Sequence, residues 1–159
     1  MKDTSDLTGE TARSGFKIHP PLFAAALLIG TLILHSLFES TTVPGHTVLG
    51  LLLVAAGVGI CVFAAALFQA RDTTKNPYGE PSRFVIERPY TFTRNPMYLG
   101  ITIVLFGFAI FFASIVMMLA PIGFFIVLDQ MVIPGEEAAM ERTFGQQYVD
   151  YKARVRRWL

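Results

Sequence analysis

Three long apolar stretches dominate the pattern of hydrophobic and polar positions along the chain. They cover residues 21–38, 48–70 and 98–133. A helix needs about 20 residues to cross the hydrocarbon core of a bilayer, so each of the first two stretches predicts one crossing. The third is too long for one crossing, and we predict a tight helical hairpin with its turn near Ala113-Ser114. Pro121 and Gly123 mark a competing position for the break.

Polar residues are concentrated outside these stretches. Residues 1–17, rich in Ser, Thr, Gly and charge, predict a flexible cytoplasmic tail, and residues 18–159 a single membrane domain. Within this domain lie a polar loop, 71–97, and a polar C-terminal segment, 134–159. The predicted fold is therefore all-α and polytopic, with four transmembrane helices of which the third and fourth form the hairpin.

The C-terminal segment predicts an amphipathic helix that lies in the membrane interface. Its aromatic and apolar residues recur at helical spacing, which places them on one stripe. The residues of this stripe are Met140, Phe144, Tyr148, Tyr151 and Val155. Gly145 predicts a bend within the helix. The basic end of the segment suits anionic headgroups, with Trp158 as an interfacial anchor.

Composition narrows the possible functions. Hydrophobic residues make up 53% of the chain and charged residues 16%, with a mean hydropathy of +0.51, which is typical of a membrane protein. The net charge of +1 supplies no field that would collect nucleic acid, so no nucleic-acid partner is expected. The single cysteine, Cys61, excludes an intramolecular disulfide and a Cys-rich metal site, and no metal is predicted.

All thirteen Lys and Arg residues fall on one side of the predicted topology. Three lie in the N-terminal tail, five in the loop after the second helix and five after the fourth helix. Residues 39–47 and the hairpin turn carry none. Because Lys and Arg are retained on the cytoplasmic side, we expect an integral protein of the cell (inner) membrane with both termini and the long loop in the cytoplasm.

The polar loop ends in residues 88–100, which enter the third helix. Asn95 is a good N-cap and Pro96 is favoured at the first helical position, so both suit a helix start. The N-terminus of a helix presents free backbone N–H groups to an anion, and Arg94 beside it can bind a carboxylate or phosphate with two N–H groups. This convergence predicts an anion-binding site where the helix enters the membrane.

Glu136 and Glu137 directly follow the fourth helix. Acids in the first turn of a helix complement its dipole, so one interpretation is purely structural. The functional interpretation is that carboxylates at the membrane surface bind a cationic or hydroxyl-bearing ligand. Because the third and fourth helices form one hairpin, we expect Arg94 and both glutamates to be neighbours, which favours a shared site.

Together these residues resemble the membrane methyltransferase superfamily of isoprenylcysteine carboxyl methyltransferases and phospholipid N-methyltransferases. The Arg-His-Pro-x-Tyr-x-Gly element of these families reads here Arg94-Asn95-Pro96-Met97-Tyr98-Leu99-Gly100, preceded by Pro89-Tyr90. Their C-terminal signature, a glutamate pair, an apolar residue, Phe-Gly and two tyrosines, is matched by Glu136-Glu137, Met140, Phe144-Gly145, Tyr148 and Tyr151. The resemblance covers residues 84–151.

The resemblance implies S-adenosylmethionine as cofactor, held at the cytoplasmic interface. The implied cofactor-binding residues are Tyr90, Arg94, Asn95, Pro96, Tyr98, Gly100, Glu136 and Glu137. Arg94 or the N–H groups of the third helix would meet the cofactor's carboxylate. Glu136 or Glu137 would meet its ribose hydroxyls or ammonium, and Tyr98 and Tyr90 its adenine or sulfonium. The candidates for positioning the reactants are Arg94, Tyr98 and Glu137.

Two positions depart from the family pattern. Asn95 replaces the usual histidine and does not titrate near neutral pH, so no general base is assigned there. Arg88 stands where a glycine often precedes the Pro-Tyr pair. Methyl transfer depends mainly on alignment of donor and acceptor. The implied partners are membrane lipids and a lipid-like acceptor, of isoprenylcysteine carboxylate or phospholipid amine type, that enters from the bilayer.

Two other functions stay open at this point: a steroid-reductase-like membrane reductase that uses NADPH, and a non-catalytic membrane assembly factor.

Asp129, a carboxylate near the end of the fourth helix, is either a functional group or the partner of a basic loop residue. Gly57-Val58-Gly59 allows a close helix contact, either within the chain or between copies.

Overall fold

The computed structural model describes residues 18–38, 46–72 and 88–159, and within them every regular element is helical. The first three helices are α1 (Pro20–Phe38), α2 (Thr47–Asp72) and α3 (Pro96–Phe111). A continuous helical run follows, made of a 3-10 turn (Val116–Met118), α4 (Leu119–Val127), a π turn (Leu128–Val132) and α5 (Ile133–Phe144). The last helix is α6 (Gln146–Arg154). The predicted tail 1–17 and residues 73–87 of the predicted loop lie outside the described residues.

The chain is an integral membrane protein by the length and composition of its helices. The described segments that are long and apolar enough to cross a membrane are Pro20–Phe38, Thr47–Leu67 and Val116–Phe144. Helix α3 is apolar but has 16 residues, so it is shorter than these three. At a rise of about 1.5 Å per residue its length is about 24 Å, less than the hydrocarbon core of about 30 Å. The fourth crossing and the cytoplasmic side of the loops stay predictions.

The turn after α3 lies where the sequence predicts the hairpin turn. Ala113 has a φ of 48°, in the left-handed region that L-residues rarely adopt. The hydroxyl of Ser114 accepts a hydrogen bond at 3.0 Å from the backbone N–H of Met117 in the 3-10 turn. Pro121 and Gly123 lie inside α4, so a break at that position is wrong.

Helices α2 and α3 pack antiparallel along a seam of glycines. A Cβ added to Gly57 would lie 2.6 Å from the carbonyl oxygen of Gly100, and one added to Gly100 would lie 2.8 Å from the carbonyl oxygen of Gly57. Near the other end of the seam, a Cβ on Gly107 would lie 3.0 Å from the carbonyl oxygen of Gly50. Small residues let two backbones approach this closely. The predicted contact at Gly57 is therefore one within the chain.

Helix α1 packs on α4, and the buried core lies between these two helices and α3. The rings of Phe23 and Phe124 stack with centroids 6.1 Å apart, and Phe124 is fully buried. At the opposite end of α1, His35 lies beside Phe112 of the hairpin turn. The starts of α1 and α3 and the end of α4 therefore lie at the same end of the bundle, called the polar end below. This arrangement brings residues 88–95 close to α5.

The C-terminal segment folds as two helices, α5 and α6, separated at Gly145. Gly145 has φ 54° and ψ −131°, so the predicted bend is confirmed. The predicted stripe also exists, because Tyr148, Tyr151 and Val155 form a buried cluster on which the two remaining stripe residues pack. The Tyr151 hydroxyl donates a hydrogen bond of 2.7 Å to the carbonyl oxygen of Tyr90. The stripe thus packs against the protein; an interfacial position for α6 stays a prediction.

Candidate active site

Helix α3 begins at the polar end without a side-chain cap. Asn95 occupies the predicted N-cap position and Pro96 the first turn, where it is buried. The Asn95 side chain does not cap the helix; its Nδ2 donates to the carbonyl oxygen of Arg157 at 3.1 Å. The prediction of a capping role for the Asn95 side chain is therefore wrong, because the C-terminal segment offers a carbonyl acceptor. Pro96 has no N–H and the Leu99 N–H donates to the carbonyl oxygen of Asn95, so the first-turn N–H groups that an anion could accept from are those of Met97 and Tyr98.

Tyr98 and Glu136 meet across the hairpin. The Tyr98 hydroxyl donates a 2.7 Å hydrogen bond to Oε1 of Glu136, and these residues are 38 apart in sequence. Tyr98 is half-buried, on the first turn of α3, whereas Glu136 is exposed at the start of α5. The predicted proximity of the two ends of the hairpin is confirmed by this contact.

Glu137 lies in a very different environment from its neighbour Glu136. It is 6% exposed, and its Oε1 pairs with Nη2 of Arg94 at 3.1 Å. Its Oε2 accepts from Nη2 of Arg157 at 2.9 Å, and Nε of Arg157 lies 3.3 Å from Oε1. Both carboxylate oxygens therefore have arginine partners. The two glutamates of the pair therefore differ in environment: Glu136 is exposed and Glu137 lies inside an ion-pair network.

Arg157 extends this network to Asp129 in the π turn. Its Nη1 donates to Oδ1 of Asp129 at 3.1 Å, and the Trp158 indole N–H donates to the same oxygen at 2.9 Å. The Trp158 ring lies 4.6 Å from the ring of Phe125. Asp129 thus has a basic partner, but this partner comes from the C-terminal segment and not from the loop that the sequence predicts. Trp158 contacts α4 and Asp129; its role as an interfacial anchor stays a prediction.

Arg94 joins three parts of the polar end. Its backbone N–H donates to the carbonyl oxygen of Arg156 at 2.9 Å, and its Nη1 to the carbonyl oxygen of Lys152 at 3.4 Å. Its Nε is buried and has no hydrogen-bond partner among the described residues. A buried donor without a partner is costly, so this N–H favours an acceptor from a ligand.

Tyrosine hydroxyls at the polar end stay neutral. Burial raises the pKa of Tyr90, and burial, followed by the neighbouring Tyr148, raises the pKa of Tyr151 far above its ordinary value. Tyr151 therefore remains a hydrogen-bond donor to Tyr90 at any physiological pH.

Arg88 is the second departure from the family pattern. Its guanidinium carbon lies 5.6 Å from the centroid of the Phe92 ring.

Gly100, another member of the sequence motif, is buried against α2. A Cβ there would lie 2.6 Å from Sγ of Cys61, so the absence of a side chain is needed for helix packing. This contact accounts for the glycine without a ligand; its place in the cofactor site stays a prediction. Among residues 18–38, 46–72 and 88–159, no group of three or more His, Cys, Asp or Glu side chains could hold a metal ion.

The sequence analysis missed Arg157 and Thr93 as parts of this region. Thr93 is buried, and its hydroxyl donates to the carbonyl oxygen of Arg157 at 2.9 Å. The signal that could have found Arg157 is Asp129, because a carboxylate at the end of a membrane helix requires a cation. Several C-terminal arginines fit that requirement equally well, so the sequence alone does not choose among them.

Comparison with known proteins decides the family to which this site belongs. The profile of the family described as "Phospholipid methyltransferase" matches residues 46–147. The chain belongs to the phospholipid methyltransferase family. The matched residues include α2, α3, the hairpin and both glutamates, which confirms the resemblance to the wider superfamily of membrane methyltransferases. Membership implies methyltransferase activity at a membrane and suggests lipid substrates.

One relative is much shorter than this chain. An uncharacterized protein of Haemophilus influenzae is 36% identical over 63 residues, which are 40% of this chain and 100% of that protein. Its printed name gives no activity. No solved structure matches the chain.

Proposed function

We propose that the protein transfers a methyl group from S-adenosylmethionine to a lipid or lipidated small substrate, of isoprenylcysteine carboxylate or phospholipid amine type, at the cytoplasmic membrane interface. The observation that carries this proposal is the 2.7 Å contact of Tyr98 with the exposed Glu136, beside an uncapped helix N-terminus. In a chain of this family, these groups form a site with both an acidic and an anion-binding part.

The residues at the polar end fit the charges of this cofactor. Its carboxylate matches the free N–H groups of α3 and the unpartnered Nε of Arg94. Its ammonium or ribose hydroxyls match the Glu136 carboxylate, which is exposed and has the Tyr98 hydroxyl as a partner. The rings of Tyr98 and Tyr90 suit its adenine or sulfonium.

Glu137 takes another role in this proposal. Its oxygens are bonded to Arg94 and Arg157, so it holds Arg94 in place beside the α3 start while Glu136 contacts the ligand. Asn95 likewise acts by holding the C-terminal segment rather than by moving a proton. Both assignments agree with a reaction that needs alignment more than acid–base chemistry.

S-adenosylmethionine supplies an electrophilic methyl group on a sulfonium. The chain binds the cofactor through the α3 start and Glu136 and orients the acceptor. Of the two described glutamates at the site, Glu136 is the exposed one, so its carboxylate is suited to bind a cationic group.

An apolar cleft supports a lipid-like acceptor. It lies between α1, α2 and α3 and has a volume of about 300 Å³, with Ala24, Leu28, Cys61 and Ile101 among its lining residues. Ile101 lies one helical turn after Tyr98, so the cleft begins close to the proposed site. A hydrocarbon chain in this cleft places a polar headgroup near the tyrosine.

The proposed topology has four crossings, with both termini in the cytoplasm. It is supported by the distribution of Lys and Arg and by the arrangement of the helices, which brings the start of α3 and the start of α5 together. A bilayer that thins locally accommodates the short α3.

Calorimetric titration of S-adenosylhomocysteine into the purified protein in detergent and in lipid nanodiscs tests this proposal. Glu136→Gln keeps an oxygen to accept from Tyr98 but removes the charge, and Glu141→Gln removes a nearby charge outside the site. We expect saturable binding by the wild type and by Glu141→Gln, and a loss of at least tenfold in affinity for Glu136→Gln. Binding of NADPH with no binding of S-adenosylhomocysteine would contradict the proposal and favour the reductase.

A further inference from the structure

We propose that Arg157 is a positioning residue: by bridging Glu137 and Asp129 it fixes the C-terminal segment against the start of α3, and so sets the geometry of the cofactor site. The set Asp129, Arg157, Glu137 and Arg94 is called the clamp below. The inference rests on the proposed function, because the ligand that the clamp positions is S-adenosylmethionine.

The clamp alternates in charge from end to end. Asp129 pairs with Arg157 at 3.1 Å, Arg157 with Glu137 at 2.9 Å, and Glu137 with Arg94 at 3.1 Å. The two negative and two positive groups of the clamp balance one another, and the central carboxylate is 7% exposed at its side chain. A further cation, Nζ of Lys152, lies 3.9 Å from Oε2 of Glu137. Such a pairing satisfies each charge only if all four groups keep their places.

The π turn helps to bring the two carboxylates to one guanidinium. Asp129 lies in this turn and Glu137 eight residues later, in α5. In an uninterrupted α-helix, side chains eight residues apart point about 80° from each other. The wider π turn rotates less per residue and reduces this angle. π turns within helices are frequent at functional sites.

Backbone hydrogen bonds carry the position of Arg157 to the start of α3. The carbonyl oxygen of Arg157 accepts from Oγ1 of Thr93 at 2.9 Å and from Nδ2 of Asn95 at 3.1 Å. The preceding carbonyl, of Arg156, accepts from the backbone N–H of Arg94 at 2.9 Å. Three consecutive residues before α3 are therefore bonded to the backbone carbonyls of Arg156 and Arg157. Displacement of Arg157 would shift the helix start that is proposed to bind the cofactor.

The test uses a charge-balanced variant of the full chain. Arg157→Gln alone leaves two carboxylates with one guanidinium, whereas Arg157→Gln combined with Asp129→Asn removes one charge of each sign. Arg157→Lys keeps the charge but cannot bind both carboxylates as a planar guanidinium does. Arg154→Gln, an exposed arginine of α6 outside the network, is the matched control.

Two readouts are measured: affinity for S-adenosylhomocysteine and hydrogen exchange at the Arg94 amide. For the double variant we expect a cooperative unfolding transition and faster hydrogen exchange at the Arg94 amide. We also expect roughly tenfold weaker binding, the lower end of the loss in affinity when residues that orient metal ligands are removed. Arg157→Lys should bind with intermediate affinity, and Arg154→Gln as the wild type.

The proposal would be overturned if the double variant bound S-adenosylhomocysteine and exchanged the Arg94 amide as the wild type does. Charge balance alone, without the Arg157 bridge, would then be enough to hold the start of α3 in place. If the double variant does not fold, Arg157→Lys decides in the same way. No binding by the wild type itself would contradict the proposed function. The positioning role of Arg157 would then be tested by hydrogen exchange alone, which should be faster at the Arg94 amide in the double variant.

Discussion

Along α2 and α3, glycines let two backbones touch, whereas at the polar end four charged side chains hold separate segments together. At the seam, the Cα of Gly57 faces the carbonyl oxygen of Gly100 with no room for a methyl group. At the clamp, Glu137 has an arginine on each oxygen. The seam is therefore sensitive to added atoms and the clamp to lost charge. The seam holds helices α2 and α3 together, and the clamp sets the shape of the proposed site.

The largest effect is expected from the loss of charge at the centre of the clamp. Glu137→Gln leaves Arg94 and Arg157 without their shared carboxylate, and removing one partner of a buried ion pair costs about 3–5 kcal/mol of unfolding free energy. The matched change, Glu141→Gln, removes a partly exposed charge that pairs with Lys152, and should cost less than about 1 kcal/mol. Unfolding in detergent measures both. Equal losses would contradict the distinction between the clamp and the surface pairs.

An added methyl group tests the seam. Gly57→Ala places a Cβ 2.6 Å from a backbone oxygen that cannot move aside without its helix, and overpacking of this kind costs about 1–3 kcal/mol. Gly59, two residues later, has nothing within 4 Å of the added atom. Gly59→Ala should therefore leave the unfolding free energy unchanged or raise it by less than about 1 kcal/mol. Equal unfolding free energies for Gly57→Ala and Gly59→Ala would contradict a close backbone contact at Gly57.

A smaller effect is expected where one hydrogen bond to the clamp is lost. Trp158→Phe removes the indole N–H that donates to Asp129 but keeps an aromatic ring beside Phe125. Because Asp129 retains Arg157, we expect a loss of about 1 kcal/mol in unfolding free energy. Trp158→Ala also removes the ring contact and should cost more. If both variants unfold like the wild type, Trp158 does not stabilise the polar end.

The smallest change in stability is expected at the contact that carries the proposed function. Tyr98→Phe removes the hydroxyl that donates to Glu136, which is exposed and returns to water, so the unfolding free energy should change by about 0.5 kcal/mol. Affinity for S-adenosylhomocysteine should fall about fivefold, as expected when a hydrogen bond of about 1 kcal/mol no longer orients the carboxylate. Unchanged affinity would separate Tyr98 from the site.

The sequence predicted the helices and the hairpin well because both depend on hydropathy and length. The turn at Ala113 follows from an apolar run that is too long for one crossing, and the meeting of Tyr98 with Glu136 follows from that turn. The bend at Gly145 follows from the low helix propensity of glycine. These features are set by local pattern or by connectivity.

Contacts between segments could not be predicted in the same way. Helices α2 and α3 are apolar on every side, so periodicity does not indicate which of Gly57 and Gly59 faces the neighbouring helix. The side chain of Asn95 turned from its own helix to a carbonyl 62 residues away. The choice of Arg157 as the partner of Asp129 depends on the path of the last residues. Each of these outcomes is decided by tertiary structure.

The central claim is that the chain moves a methyl group to a lipid at a site that includes Glu136. Membranes that contain the protein are incubated with S-adenosylmethionine labelled in its methyl group, and the label in the extracted lipids is measured for the wild type, Glu136→Gln and Glu141→Gln. The account predicts labelled lipid with the wild type and Glu141→Gln, and at least tenfold less with Glu136→Gln. Unlabelled lipid with the wild type, or equal labelling by all three proteins, would contradict it.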